Sequence, residues 1–439
     1  MFNIFTYALN CLRGAFIFLL SVTCAGLLRP AGADATFAME GKAEKYEARA
    51  RILAASTERN FFDKLSPMLH NNSSNWFTPS GCWDATALLT MYTKLAEIDG
   101  KYVRGADRAI YTLGFYGRAA SPSEPPGSFS AYTGEWSMFQ NAVTDGDVYY
   151  DDNMWVGRDL VALYNLTGNK KYLDRAVVIA DMIIAEGWTD LSEAMFADKF
   201  GAAPGGPLGG FYWRDDRVAL HVCSNGPAIQ FLTLLSAVAD NGRGDAYLDY
   251  AMKSYRFLRY LERDNGVFWD LMTFHKDADN NVVGINAREG ASFSYNSGTP
   301  ISSGVELYKA TGDAAYLDDA KRWARSADLF FAKDSSVPGV KTFTDLPWFR
   351  EILLMGYIDL HPFDADALDY IQNMEAAINY GYENHRLNGV LGWHKNIIPR
   401  NWVEGFADEA ERQSAAALEQ IPCAGIYASL AMFYDRRAD

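Results

Sequence analysis

Two adjacent carboxylates, Asp151 and Asp152, stand in the run Tyr149-Tyr150-Asp151-Asp152-Asn153-Met154-Trp155. Glycoside hydrolysis needs two such groups, one protonated to protonate the leaving oxygen and one ionised to attack or to activate water. Sharing a pocket helps that division, because ionising the first acid raises the pKa of the second. The aromatic neighbours suit the same chemistry, since ring faces pack on the C–H surfaces of sugars. Asp and Asn are also favoured helix N-caps, and Met154 to Leu163 has helical spacing, so the pair is placed to open a helix. Successive residues of a regular helix diverge by ~100°, so both carboxyls can face one sugar only from a helix start or a loop.

Other chemistries lack their residues. The histidines at positions 70, 221, 275, 361, 385 and 394 show no HExxH or paired spacing, so no metal is expected. There is no G-x-S-x-G elbow, and Ser224-Asn225-Gly226 lacks the flanking strand signal of an acyl-transfer serine. The stretch from Pro204 to Trp213 is a glycine loop feeding a short strand or hairpin, without the lysine that a phosphate loop carries. His275 to Asn281 resembles a calcium loop, but Val282 and Arg288 occupy the places of its Gly and Glu, which makes it a polar hairpin turn. No cofactor is expected.

The chain has 439 residues, 49% hydrophobic, with a formal charge of -15, enough apolar material for a large core under an acidic surface. Such a surface repels phosphate backbones and anionic lipid heads, which excludes nucleic acid and favours a neutral polysaccharide or oligosaccharide partner. Arg13, the apolar run Gly14 to Leu28, Arg29 and Ala31-Gly32-Ala33 form a signal-peptide pattern over residues 1–33, shorter than the ~20 residues of a spanning helix. The expectation is a secreted or periplasmic monomer with no membrane span after cleavage. The tail Tyr434 to Asp439 carries no hydrophobic anchor signal. Cys82, Cys223 and Cys423, far apart and odd in number, read as buried thiols rather than a disulfide framework.

The elements that must position the acid pair are helical. Ala43 to Phe62, with Ile52, Leu53 and Phe61-Phe62 on its apolar stripe, and Trp83 to Leu95 read as the first helices. Leu163-Tyr164-Asn165-Leu166-Thr167-Gly168 followed by Tyr172-Leu173-Asp174 then returns as Leu307-Tyr308-Lys309-Ala310-Thr311-Gly312 followed by Tyr316-Leu317-Asp318, with Tyr247-Leu248-Asp249 between them. Each glycine fits a helix C-cap and each tyrosine segment opens the next helix. A period of roughly 70 residues is one helical hairpin, and the chain after the signal holds about six. Closed into a ring they give an all-α fold, an (α/α)6 barrel or six-hairpin toroid, as one catalytic domain over residues 34–439 with loops and short hairpins forming the site. Trp136, Trp155, Trp213, Trp269 and Trp348 lie near expected helix ends, and the loop Ala119 to Ser130 is placed to wall the site.

Four ordered segments resemble the signatures of glycoside hydrolase family 76: Tyr149 to Trp155, Gly209-Gly210-Phe211-Tyr212-Trp213, Cys223-Ser224-Asn225-Gly226-Pro227-Ala228 and Ser294-Tyr295-Asn296-Ser297-Gly298-Thr299. The resemblance runs from Phe61 to Met432 and departs where the family commonly has Phe-Lys-Gly and this chain has Phe349-Arg350-Glu351. It implies an (α/α)6 barrel and endo-acting, retaining hydrolysis of α-1,6-mannan, with Asp151 as nucleophile and Asp152 as acid/base. Substrate-binding residues implied with them are Tyr150, Trp155, Trp213, Asn225, Tyr295 and Asn296. The alternatives are an α-mannan transglycosylase, or a toroidal glycosidase or isomerase acting on another sugar.

Overall fold

The computed structural model describes residues 31–62, 68–119, 129–138, 140, 146–201, 205–389 and 395–436. Twelve helices build the body. In chain order they are α1 Ala31–Phe61, α2 Cys82–Ile98, α3 Val103–Leu113, α4 Tyr150–Thr167, α5 Lys170–Met182, α6 Val222–Val238, α7 Gly244–Leu258, α8 Tyr295–Thr311, α9 Ala314–Phe331, α10 Pro347–Leu360, α11 Ala367–Tyr380 and α12 Ala417–Arg436. The even-numbered helices form a closed inner ring, each against the next, with α12 returning to α2. From α3 to α11 each odd-numbered helix lies outside the inner helix before it in the chain. Helix α1 packs instead on α12 and completes the sixth hairpin from the two ends of the described chain. The fold is the expected (α/α)6 barrel.

The two rings differ in sequence because they differ in surroundings. On α3 only Ala106, Ala109, Thr112 and Leu113 are buried, the single stripe of an amphipathic surface helix. On α6 every residue from Val222 to Thr233 is buried, and on α10 every one from Pro347 to Tyr357, so neither shows a polar face along that run. The ring is tight. A side chain at Gly298 of α8 would press into the backbone of Ile352 and Leu353 on α10. Inside the ring Lys94 and Glu351 form a buried ion pair of 2.7 Å, and a side chain at Gly425 would occupy the position of the Glu351 carboxylate. The departure at Glu351 is therefore accommodated by a lysine that neutralises it and a glycine that leaves it room.

The repeated tyrosines join outer helices. Tyr172 donates to Asp107 of α3 at 2.8 Å and Tyr247 to Asp181 of α5 at 3.0 Å, while the Tyr316 ring stands edge-on to Tyr255 of α7 at 4.8 Å. Gly168 and Gly312 adopt φ of 67° and 75° as C-caps, the left-handed conformation that glycine reaches without steric cost. Asn169 and Asp313 then cap the next helices, accepting from the backbone N–H of Lys171 and Ala315.

Helix α1 starts at Ala31, twelve residues before the expected Ala43, and Ile52 is exposed while Leu53 and Phe61 are buried. Residues 1–30, which hold most of the expected signal segment, lie outside the described residues, as does the span 120–128 expected to wall the site. Cys82, Cys223 and Cys423 are buried and free. Among the described residues no helix is long and apolar enough to cross a membrane. Three small antiparallel units sit close to the starts of α4 and α6: Gly117–Ala119 with Phe129–Tyr132, Trp188–Leu191 with Leu208–Phe211, and Ala219–His221 with Leu271–Lys276 and Val282–Glu289. The turn at 277–281 is the polar hairpin read from its sequence.

Candidate active site

The N-terminal ends of five inner helices converge on a cavity of about 390 Å³. Helix α2 contributes Cys82 and Trp83, α4 contributes Asp151, Asp152 and Trp155, α6 contributes Cys223 and its N-cap His221, α8 contributes Tyr295, and α10 contributes Trp348, Phe349 and Ile352. Each helix start carries a partial positive charge on its unsatisfied N–H groups, so the arrangement favours negative charge in the middle. A larger cavity of about 660 Å³ opens at the other end of the barrel, where Glu97 and Arg436 end α2 and α12, but no aromatic ring lines it. The chemistry belongs to the first.

Asp151 and Asp152 occupy the first turn of α4, behind the N-cap Tyr149, the helix-start position that lets neighbouring carboxyls face one ligand. Their environments differ. Asp151 accepts from Trp213 Nε1 at 3.1 Å and from the Asp152 backbone N–H at 3.0 Å, and it shares the cavity wall with Cys223. Burial raises its pKa to about 6, and those donors with the nearby His221 hold it from going higher. Asp152 is held well above the ordinary carboxylate value by burial first, then by the charges of Asp151 and Asp84. Two buried carboxyls this close do not both ionise readily, and the donors on Asp151 favour the charge there.

Of the binding residues read from the sequence, Trp155, Trp213 and Tyr295 line the cavity. Trp155 stands edge-on to Trp348 at 5.8 Å, and Trp213 packs against Tyr149 at 5.2 Å and His221 at 4.9 Å. Tyr150, Asn225 and Asn296 are not in the lining. Tyr150 is buried with its ring against Gly187, and its neighbour Tyr149 faces the cavity instead. Asn225 is fully buried and its amide is consumed by the scaffold: Oδ1 accepts from Phe211 N at 2.9 Å and Ser254 Oγ at 2.9 Å, and Nδ2 donates to Phe211 O at 3.0 Å and His221 O at 2.7 Å. Asn153 does the same one hairpin earlier, gripping both backbone groups of Tyr132. Both asparagines clamp a strand to an inner helix. Asn296 is buried and donates to Asp270 Oδ1 at 2.9 Å. Of the tryptophans placed near helix ends, Trp136 stacks on Phe115 and Trp269 lies under Arg263, both away from the cavity.

Trp348, placed near a helix end from its sequence, also lines the cavity, while Trp83, Cys82, His221, Cys223, Asp270 and Phe349 were not read as site residues. Asp270 is a hub, receiving Tyr295 Oη at 3.3 Å and Asn296 Nδ2, with His221 Nδ1 at 3.6 Å from its other oxygen. Their common signal is position, in or just before the first turn of an inner helix or, for Asp270, at the start of a strand that pairs beside one. Among the described residues no group of His, Cys, Asp or Glu is arranged to hold a metal ion.

The family model for glycosyl hydrolase family 76 matches residues 124–422. The chain belongs to glycosyl hydrolase family 76. It is accordingly a glycoside hydrolase, and the acid pair and every aromatic wall residue except Trp83 fall inside the matched span. Solved structures of family 76 share its fold. A family 76 glycoside hydrolase (mannosidase), Bt3792 from Bacteroides thetaiotaomicron VPI-5482, superposes with a TM-score of 0.71 at 21% identity, covering 90% of this chain and 100% of the other. An inactive variant of the α-1,6-mannanase GH76A from Salegentibacter sp. HEL1_6, with two aspartates changed to asparagine and α-1,6-mannotriose bound, gives 0.65 at 18% identity, covering 88% and 99%. A D-mannose isomerase also matches, at 0.58 and 13% identity over 89% and 98%, so the barrel alone does not separate hydrolase from isomerase. No curated protein sequence matches the chain.

Proposed function

We propose that this family 76 enzyme is a secreted or periplasmic endo-acting hydrolase of α-1,6-mannan that retains anomeric configuration, with Asp151 as nucleophile and Asp152 as acid/base. The observation that carries the reading is the unequal pair: two neighbouring carboxyls in one aromatic cavity, the first supplied with hydrogen-bond donors and the second kept protonated by burial and by its neighbour. The substrate is supported by the family and by the α-1,6-mannotriose bound in the Salegentibacter relative.

The division of labour follows from the order of ionisation. Asp151, ionised first, attacks the anomeric carbon as Asp152 passes its proton to the departing glycosidic oxygen. The negative charge left on Asp151 is neutralised in the covalent mannosyl ester, so Asp152, now ionised, no longer faces a charged neighbour. It then takes a proton from water, which attacks the ester and frees Asp151. Trp213 keeps the Asp151 carboxylate oriented throughout by its Nε1–H bond.

The test is a reducing-end assay on α-1,6-mannan backbone with the wild type, Asp151→Asn and Asp152→Asn. Asp151→Asn is expected to abolish turnover on mannan and on an activated aryl mannoside alike. Asp152→Asn should suffer far more on mannan, because an aryl leaving group needs little protonation. Azide should partly rescue Asp152→Ala on the aryl substrate, yielding a glycosyl azide of retained configuration. Near-normal mannan cleavage by Asp151→Asn would overturn the assignment.

A further inference from the structure

A groove of about 370 Å³ beside the outer helices α3 and α5 has no part in that scheme. Asp107 and Tyr111 line it from α3 and Lys171 and Arg175 from α5, together with Tyr132 and Gln140. Tyr111 is 54% exposed, a large ring on a helix that buries only Ala106, Ala109, Thr112 and Leu113. It is exposed without being loose. Its ring stands edge-on to Phe115 at 5.6 Å, and Phe115 in turn stacks on Trp136 at 6.1 Å. Gln140 Nε2 donates to the Tyr111 carbonyl at 2.8 Å. Lys171 is neutralised by Asp107 at 2.7 Å, whereas Arg175 lies over the Phe129 ring at 3.9 Å and pairs with no carboxylate among the described residues. The groove also adjoins the catalytic cavity. Tyr132 lines the one and Gly134 the other, and two residues of chain span at most ~7 Å. Asn153, the neighbour of Asp152, holds Tyr132 by both backbone groups, at 2.8 and 2.9 Å.

We propose that this groove is a second glycan-binding site, which holds a further stretch of the neutral polysaccharide chain being cut in the cavity. The choice of α-mannan as that chain rests on the substrate reading above. Tyr111 offers more than half of its surface to the C–H face of a sugar, and its backing by Phe115 means that little side-chain freedom is lost on binding. Sugar hydroxyls donate and accept, so they suit Arg175, Gln140 and Asp107 alike. A polyanion would find one unpaired cation, set against Asp107 and a chain of formal charge -15. A polymer held at two adjoining places is retained more tightly than at either alone, because its second contact is intramolecular. The groove therefore adds affinity for long chains and none for a substrate that fills only the cavity.

The test is affinity electrophoresis through gels containing α-1,6-mannan, with the full chain carrying Asp151→Asn and Asp152→Asn as the parent so that the polymer survives. Adding Tyr111→Ala or Arg175→Ala is expected to weaken retention roughly 2–10-fold, the size of one aromatic contact. Tyr111→Trp keeps a ring and should keep the parent's affinity. In the active enzyme Tyr111→Ala should raise KM on mannan by a similar factor and leave kcat/KM on an aryl mannoside unchanged. Parental retention of both alanine variants would overturn the proposal. So would an equal loss of activity on mannan and on the aryl mannoside, which would mark Tyr111 as part of the scaffold. Retention of a phosphorylated mannan that needs Arg175 and not Tyr111 would assign the groove to an anion instead, and the proposal would fall. If mannan is neither cleaved nor retained while another neutral glycan is retained through Tyr111, the groove stands and the substrate reading fails.

Discussion

Asn225 separates a scaffold role from a ligand role with one substitution. Its four hydrogen bonds serve both backbone groups of Phe211, the carbonyl of His221 and the hydroxyl of Ser254, all in the interior. Asn225→Leu has nearly the same volume and no polar atoms, so each of these groups loses that partner without gaining water. A buried polar group left unsatisfied costs about 1–3 kcal/mol, and four at the low end give about 4 kcal/mol. That is a large fraction of the ~5–15 kcal/mol by which a typical domain is stable. Asn225→Asp is expected to be similarly harmful, because a carboxylate would face the Phe211 and His221 carbonyls that now accept from Nδ2. Urea unfolding read by tryptophan fluorescence should show a large drop in midpoint for both variants. Because Phe211 and His221 flank Trp213, surviving activity should fall in kcat along with stability. An unchanged midpoint with KM alone raised would refute the scaffold role and restore Asn225 to the binding surface.

The acid pair also makes stability depend on pH. Burial raises Asp151 from 3.8 to about 6, so the folded state is favoured while the acid is protonated, and that contribution is lost as pH rises through the folded value. The difference corresponds to roughly 3 kcal/mol, so unfolding free energies of Asp151→Asn should gain on the wild type by that order between about pH 4 and pH 7; a constant offset would contradict the burial of the charge. Gly298→Ala places a methyl against the backbone of α10, which cannot swing aside as a side chain can, and should lower stability by about 1–3 kcal/mol. Since Ile352 lines the cavity, the same variant is expected to raise KM, and wild-type values in both assays would show the inner ring to be looser than described.

Much of the scaffold was legible because outer helices and their junctions carry local signals. Gly168 and Gly312 need a backbone conformation that few other residues adopt, and Tyr172 and Tyr247 repeat because each reaches the outer helix before it. Inner helices such as α6 are buried on every side for most of their length, which erases the apolar stripe, and Pro227, Pro300 and Pro422 each stand sixth in an inner helix, where a proline usually argues against one. The site was half legible for a related reason. Asp151, Asp152 and Trp155 declare themselves within one run, but Trp83, His221, Asp270 and Phe349 join them only through closure of the ring. Asn225 and Asn296 lie outside the cavity lining, and in sequence a motif asparagine bonded to the protein looks the same as one that touches a sugar.

The most direct measurement of the proposed chemistry is the anomeric configuration of the first product. Proton NMR of an α-1,6-mannan oligosaccharide, recorded within the first turnovers and ahead of mutarotation, distinguishes attack by Asp151 from attack by water. The α-anomer appearing first, with the β-anomer growing in only at the rate of spontaneous mutarotation, is the expected result for two displacements through a mannosyl ester on Asp151. The β-anomer appearing first would mean a single displacement by water, and Asp151 would then be a base rather than a nucleophile.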